Sequence, residues 1–167
     1  CYVAIQKNVE KVIKYLKSLE KKYRGLDLVN QEALYYQIRD KYNQTRRNIN
    51  FDKYYAKEHS ERAAMTIFLN RTCFNGLYRV NSQGEFNVPF GKYRNPTICY
   101  AQNLRAVSSI LKGAIITNKD FSIIQKHIKK DSFIYFDPPY RPLNKTSSFT
   151  SYSSNEFNDK EQERLAA

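Results

Sequence analysis

The chain has 167 residues, of which 41% are hydrophobic and 26% charged, a composition typical of one folded domain with a core. No apolar run approaches the roughly 18 residues of a membrane helix, and the first residues lack the pattern of a signal peptide. The formal net charge of +12 favours a polyanionic partner, most simply nucleic acid. We therefore expect a cytoplasmic protein without a membrane partner.

The three cysteines, Cys1, Cys73 and Cys99, are odd in number and widely spaced, which predicts free thiols in a reducing compartment. Only His59 and His127 add imidazole groups, so the sequence predicts no metal site. The first residue is not Met, which suggests that the chain begins inside a longer protein.

The first half of the chain carries apolar residues at helical spacing. Residues 8–23 predict an amphipathic helix with Asn8 as its N-cap. Residues 30–43 repeat the pattern and predict a second helix. Residues 60–70 predict a third, compact helix with Ser60 as its cap.

The pattern changes over residues 75–91, where apolar and polar side chains alternate around the turn signal Ser82-Gln83-Gly84. Two short strands joined by a turn with Gly84 in the left-handed region would make a β-hairpin. Pro89 would keep the second strand at a sheet edge.

The last part of the chain predicts alternating helices and strands. Pro96 opens a predicted helix over residues 96–112, and residues 155–167 begin another. Between them the pattern predicts a strand, a helix and a strand, over residues 114–117, 121–130 and 133–137. This order is typical of a parallel α/β sheet, which we expect to be incomplete at both ends in this chain.

The run Asp137-Pro138-Pro139-Tyr140 follows directly on the last predicted strand. Ligands of parallel sheets bind at the carboxyl ends of the strands. The prolines lack N–H groups, so carbonyl oxygens there are free to accept hydrogen bonds. A carboxylate, a carbonyl and an aromatic ring would together suit a planar ligand with an exocyclic amine, such as a nucleobase. The alternative is a strand-ending turn with a capping Asp.

The DPPY run after a hydrophobic strand resembles the catalytic motif of amino-group methyltransferases that use S-adenosylmethionine. Two longer blocks narrow the resemblance: FLNRTCFNGLYRVNSQGEFNVPFGKY and DPPYRPLNKTSSFTSYSSNEF. Both resemble the Dam family of DNA adenine-N6 methyltransferases, of the D12 class and GATC type. The resemblance extends over essentially all of residues 60–160.

The resemblance implies an α/β fold: part of a Rossmann-like methyltransferase sheet with an inserted helical DNA-recognition domain that bears a β-hairpin. Residues 1–7 would end the N-terminal part of the catalytic domain. Residues 8–95 would form the recognition domain, with the hairpin at about 75–91. Residues 96–167 would form the catalytic portion with the DPPY motif.

The resemblance also implies roles for the motif. Asp137 and the Pro138 carbonyl would accept hydrogen bonds from the adenine amine, and Pro139 would stiffen the turn. Tyr140 would stack on an adenine that is flipped out of the duplex. The methyl group would pass by direct displacement from the sulfonium. Cofactor contacts would come from the motif and its neighbours: Asp137, Asp120, Phe121, Phe149 and Tyr152.

In the hairpin, the resemblance implies that Arg79 reads a guanine, which an arginine can bind in bidentate fashion in the major groove. Phe74 would push into the base stack. Asn75, Leu77 and Pro89 would shape the contacts to other bases. Lys92 stands where the family often has arginine, so a phosphate contact is expected there. Arg94 adds a further basic contact.

The family binds its cofactor with a Phe-x-Gly-x-Gly turn, and none of the five glycines forms one: Gly25, Gly76, Gly84, Gly91 and Gly113. We therefore expect this chain alone to bind cofactor weakly and to transfer no methyl group. Two alternatives stay open: a non-catalytic DNA-binding module, and a related enzyme acting on RNA or on cytosine N4. The sequence also leaves open whether the bacterial or phage parent belongs to a restriction-modification system.

Overall fold

The computed structural model describes residues 1–46, 49, 55–139 and 157–166. The chain divides into two compact units. The first unit comprises Cys1–Arg79 and Glu85–Ile116, and the second comprises Val80–Gly84 and Thr117–Ala167.

Four α-helices and a short 3₁₀ helix, Phe74–Gly76, lie in the described part of the first unit. The α-helices are α1 Tyr2–Arg24, α2 Leu28–Arg46, α3 Lys57–Thr72 and α4 Ala101–Leu111. Helix α1 packs against α3 and α4, and α2 packs against α3. None of the helices in the described ranges is long and apolar enough to cross a membrane.

Helix α1 is two helical segments joined at Asn8, whose φ of −156° and ψ of 66° are not helical. The Asn8 side-chain Oδ1 accepts the N–H of Lys11 at 3.2 Å. This is the hydrogen bond of an N-cap, in which the side chain of the cap residue accepts a backbone N–H of the first helical turn. The predicted helix that begins at Asn8 is therefore confirmed, with a further turn before it.

The predicted second and third helices are also confirmed, with longer bounds. Helix α3 begins at Lys57, before the predicted cap Ser60. His59 Nδ1 accepts the N–H of Ala56 at 2.9 Å. Ser60 is instead buried inside the helix, where its hydroxyl bonds to that of Tyr55 at 2.8 Å.

The core of the first unit forms where the apolar faces of α1, α2 and α3 meet. Tyr23 and Phe68 are almost fully buried, and their rings pack edge to face with centroids 5.9 Å apart. Phe90, from the segment after α3, contacts the ring of Tyr23 at 6.5 Å and that of Tyr35 at 5.4 Å. The helices and the following segment therefore share one core.

The predicted β-hairpin is wrong: the described residues of 75–91 form no strand, and the backbone contains only isolated bridges such as Cys73 with Phe90. The reason is that side chains of α2 take the backbone groups a strand would pair. Asn43 accepts the N–H of Phe86 at 2.9 Å and donates to its carbonyl at 3.1 Å. The turn prediction at Gly84 is nevertheless right, with φ at 73°.

The predicted Rossmann-like sheet is also wrong, since the described part of the chain contains no sheet. Residues 114–117 and 133–137 show no ladder pairing, and several of their apolar side chains are exposed, such as Ile115 by 80% and Phe133 by 91%, while Ile116 and Ile134 are half-buried. An apolar run predicts burial, but a strand also needs a neighbouring strand for its N–H and C=O groups.

Two predicted helices have shorter observed bounds. The helix expected from Pro96 begins only at Ala101, since residues 96–100 are not helical; Ile98 among them is buried. In the second unit, the helix expected over 121–130 is a 3₁₀ helix, Phe121–Lys126. The last predicted helix is confirmed as α5, Asp159–Ala166.

Candidate active site and nucleic-acid interface

The second unit contains an open pocket of about 780 Å³ around the DPP residues of the predicted motif. Residues 135–139 line it together with three side chains of α5: Asp159, Gln162 and Glu163. Its volume lies in the range of pockets that bind small molecules. The lining thus includes Asp137, Pro138 and Pro139, whose catalytic roles stay predictions.

The pocket is lined by hydrogen-bond acceptors and by apolar side chains. Asp137 is exposed, and Pro138 and Pro139 are half-buried. Neither proline has an N–H group, so the backbone here offers carbonyl oxygens without donors. Rings of Tyr135 and Phe136 line the same space. Such a pocket can accept hydrogen bonds from a planar amine.

Three residues to which a role was assigned lie outside the described residues: Tyr140, Phe149 and Tyr152. Their proposed stacking and cofactor contacts therefore stay predictions.

Helix α5 contacts the DPP residues through a side chain that the sequence did not single out. Gln162 Nε2 donates a hydrogen bond to the carbonyl oxygen of Pro139 at 3.0 Å. Asn158 caps the helix, its Oδ1 accepting the N–H of Glu161 at 3.2 Å. No sequence signal marked Gln162, because a glutamine on a polar helix is usually solvated.

The predicted cofactor residues Asp120 and Phe121 lie side by side at the start of the 3₁₀ helix. The Asp120 carboxylate accepts the N–H of Ser122 at 3.0 Å and binds the guanidinium of Arg164 through two hydrogen bonds of 2.9 and 2.8 Å. Arg164 and then Ser122 hold the pKa of this carboxyl well below its usual range. The same guanidinium lies 4.0 Å from the centre of the Phe121 ring.

No group of three or more potential metal ligands occurs among the residues that the structure describes. Of the free cysteines, Cys73 is buried, and its thiol donates to the Leu77 carbonyl at 3.2 Å. Burial raises the pKa of this thiol.

The predicted DNA contacts all lie in one segment of the first unit, residues 73–79 and 85–94, which we call the 73–94 loop. Each of the seven side chains is exposed: Phe74, Asn75, Leu77, Arg79, Pro89, Lys92 and Arg94. Phe74 is 51% exposed, and the neighbouring Leu77 is 48% exposed. The loop therefore presents apolar and basic groups to solvent together.

Backbone geometry shapes the tip of this loop. Asn75 and Gly76 both have positive φ, at 52° and 61°. The N–H of Asn75 donates to the hydroxyl of Tyr93 at 3.1 Å. Lys92 also has a positive φ, at 55°, an uncommon value for a residue with a side chain. The tip is therefore a defined turn.

Side chains of α2 and a backbone carbonyl of α3 hold the loop by hydrogen bonds that the sequence did not indicate. Besides the Asn43 pair, the buried hydroxyl of Tyr35 donates to the Val88 carbonyl at 2.7 Å. The N–H of Gly91 donates to the Thr72 carbonyl at 2.8 Å. Burial of Tyr35 raises its pKa, so the hydroxyl stays a donor at physiological pH.

Comparison with known proteins shows the family. The D12 class N6 adenine-specific DNA methyltransferase family matches residues 1–167, so the chain belongs to that family.

The curated relatives that the chain matches are named as methyltransferases or DNA adenine methylases. The chain is 46% identical to the type II methyltransferase M.MjaIII of Methanocaldococcus jannaschii over 166 residues, 99% of this chain and 55% of that protein. It is 42% identical to the DNA adenine methylase of Haemophilus influenzae over 124 residues, 69% of this chain and 43% of that protein. It is 34% identical to the DNA adenine methylase of Escherichia coli over 137 residues, 82% of this chain and 45% of that protein. The chain thus spans about half the length of the curated relatives it matches.

Proposed function

We propose that the protein containing this chain transfers a methyl group from S-adenosylmethionine to N6 of an adenine in double-stranded DNA, within the sequence GATC. Family membership and the names of the relatives support this proposal. The net charge of +12 fits a DNA substrate, because basic side chains bind phosphates. The relative named a type II methyltransferase favours a place in a restriction-modification system.

The observation that carries the proposal is the exposed Asp137 carboxylate on the pocket formed with α5. The amine lone pair of adenine is conjugated with the ring and is a poor nucleophile. Hydrogen bonds to Asp137 and to the Pro138 carbonyl would draw electron density back onto the nitrogen. The Asp137 carboxylate and the Pro138 carbonyl are both hydrogen-bond acceptors, and the two prolines contribute no N–H donor. This combination suits a ligand that donates hydrogen bonds, such as an amine.

The adenine must leave the duplex to reach such a pocket, because its amine is paired in the helix. Tyr140, the next residue after Pro139, would stack on the extruded base. The cofactor supplies an electrophilic methyl group on a sulfonium. In this chain, Asp120, Phe121 and Tyr152 would hold it, with Asp137 at the point where the two reactants meet. Because Arg164 contacts both the Asp120 carboxylate and the Phe121 ring in this structure, cofactor binding by these two residues would require Arg164 to move.

DNA would be read by the 73–94 loop, as part of a recognition domain over residues 8–95. The guanidinium of Arg79 would bind a guanine in the major groove. Phe74 would enter the base stack from the exposed tip. Lys92 and Arg94 would bind phosphates, while Asn75, Leu77 and Pro89 would shape contacts to the remaining bases.

The proposal is tested by methyl transfer with the intact protein, labelled S-adenosylmethionine and two duplexes of identical composition. One contains GATC and the other contains those four bases permuted. Label on adenine N6 of the GATC duplex alone is expected. Label on both duplexes would contradict the proposed GATC specificity but would still support methyl transfer to adenine N6. Duplex binding without label on either would favour a non-catalytic DNA-binding module, and label on cytosine or RNA would indicate the related enzyme.

A further inference from the structure

We propose that Gln162 is a positioning residue for the DPP segment: it fixes the Pro139 peptide group and thereby the acceptors that meet the substrate amine. This inference rests on the proposed methyl transfer. It starts from one contact, the hydrogen bond of 3.0 Å from Gln162 Nε2 to the Pro139 carbonyl.

A hydrogen bond to the Pro139 carbonyl can fix the backbone conformation of the DPP segment, because this segment has few free torsion angles. The pyrrolidine rings of Pro138 and Pro139 lock their φ angles. The freedom left in the turn is therefore mainly rotation about ψ of the two prolines. A donor on the Pro139 carbonyl sets the plane of the peptide group that leads to residue 140. Through the locked rings, the same bond restricts the direction of the Pro138 carbonyl.

A single side-chain hydrogen bond positions its partner only if its own helix is held. Helix α5 is held at its C-terminal end by Arg164, which binds the Asp120 carboxylate through two hydrogen bonds of 2.9 and 2.8 Å. The guanidinium also lies over the Phe121 ring at 4.0 Å. Just before the helix, the Phe157 ring contacts that of Phe121 at 6.1 Å. Gln162 therefore projects from an anchored helix.

The side chains around Gln162 explain why an uncharged hydrogen-bond donor to the Pro139 carbonyl suits this position. The pocket wall around it carries carboxylates from Asp159 and Glu163, next to that of Asp137. A carboxylate at position 162 would repel the Pro139 carbonyl, and an apolar side chain would leave the peptide group free to rotate. An amide donates without adding charge next to Asp137.

The test uses the intact protein and three substitutions. Gln162→Met keeps the length and removes the donor, Gln162→Glu replaces it by an acceptor, and Gln162→Lys keeps a donor. Gln125→Met, on the exposed face of the 3₁₀ helix, is the matched control. The measurements are the single-turnover rate of methyl transfer, the Kd values for duplex and for S-adenosylmethionine, and the carbonyl resonance of Pro139. Labelling with ¹³C-carbonyl proline and ¹⁵N tyrosine selects proline–tyrosine peptide bonds, of which these 167 residues contain one, Pro139–Tyr140.

We expect Gln162→Met to lower the single-turnover rate about 10- to 100-fold, the loss typical of a misplaced reacting group, with both Kd values within about 2-fold of wild type. The Pro139 carbonyl resonance should move upfield as its hydrogen bond is lost. Gln162→Glu should lose more activity, and Gln162→Lys should restore the Pro139 carbonyl resonance but only part of the rate, because its ammonium group adds charge next to Asp137. Gln125→Met should change none of these quantities.

Two results would overturn the inference. An unchanged carbonyl resonance in Gln162→Met would mean that the contact does not exist, and a shifted resonance with a normal rate would mean that it positions nothing. If Gln162→Met fails to fold, Gln162→Glu, which also lacks the donor, decides in the same way, with Gln162→Lys as the variant that keeps a donor. A wild-type protein that transfers no methyl group would overturn the proposed function and the positioning role together, while the resonance would still report the contact.

Discussion

The guanidinium of Arg79 is bound to Asn87 across the 73–94 loop. Its Nε donates to the Asn87 side-chain oxygen at 2.8 Å, and an Nη2 donates to the Asn87 carbonyl at 3.4 Å. The Arg79 carbonyl in turn accepts the N–H of Asn87 at 3.1 Å. An exposed arginine held in this way loses less side-chain entropy when it binds a base. This geometry gives the first prediction.

Arg79→Ala should lose about 1–3 kcal/mol of discrimination at one guanine of the target, because a bidentate contact is removed. Arg79→Lys is the charge-matched variant and should keep phosphate attraction while losing discrimination. Asn87→Ala should cost less than Arg79→Ala, since it only releases the guanidinium. Competition binding with single-base variants of the duplex measures all three. Equal weakening on every duplex would mean that Arg79 contacts a phosphate.

Asp137→Ala in the intact protein should lower methyl transfer by at least about 100-fold, the size of effect seen when one preorganised transition-state hydrogen-bond partner is removed. Duplex affinity should stay within about 2-fold, because the 73–94 loop supplies the proposed DNA contacts. Rates with labelled S-adenosylmethionine and a separate binding assay check this. Asp131→Ala, another exposed carboxylate of the second unit, is the control and should behave as wild type. Normal turnover by Asp137→Ala would remove the role assigned to the carboxylate.

Asn43→Ala should destabilise the chain by about 1–3 kcal/mol, because it leaves the N–H and C=O of partly buried backbone without their partners. The variant removes both hydrogen bonds to Phe86 at once. Urea unfolding measures the change. Asn103→Ala on the exposed face of α4 should change stability by less than about 0.5 kcal/mol. Equal stability of the two variants would show that the loop does not depend on Asn43.

Gly91→Ala should destabilise the chain by about 1–3 kcal/mol through overpacking. A Cβ at this position would lie 2.5 Å from the Cys73 carbonyl oxygen and 2.6 Å from the Tyr93 ring. The nearest atom is backbone, so the loop must move. Gly113→Ala is the matched control, since its Cβ would meet nothing within 4 Å. Thermal unfolding of the two variants should differ clearly, and a neutral Gly91→Ala would mean that the loop is loosely packed.

The sequence determined the first three helices and the residue types of the candidate site. Periodicity identified the buried faces of α1, α2 and α3, and the polar residue at position 8 marked a cap that the structure confirms. The DPP residues, their missing donors and the basic loop were also evident from residue types alone. These properties are local: they depend on neighbours a few residues apart.

Only the tertiary structure decided which groups pair over long distances. The alternation at 75–91 predicts exposed and buried sides, and Phe86 and Val88 are indeed buried. It does not say that the partners of their backbone would be Asn43 and Tyr35, 43 and 53 residues away, rather than another strand. The same holds for Gln162 and Pro139. A backbone N–H or C=O accepts any suitable partner that the fold brings within reach, and a local pattern does not identify that partner.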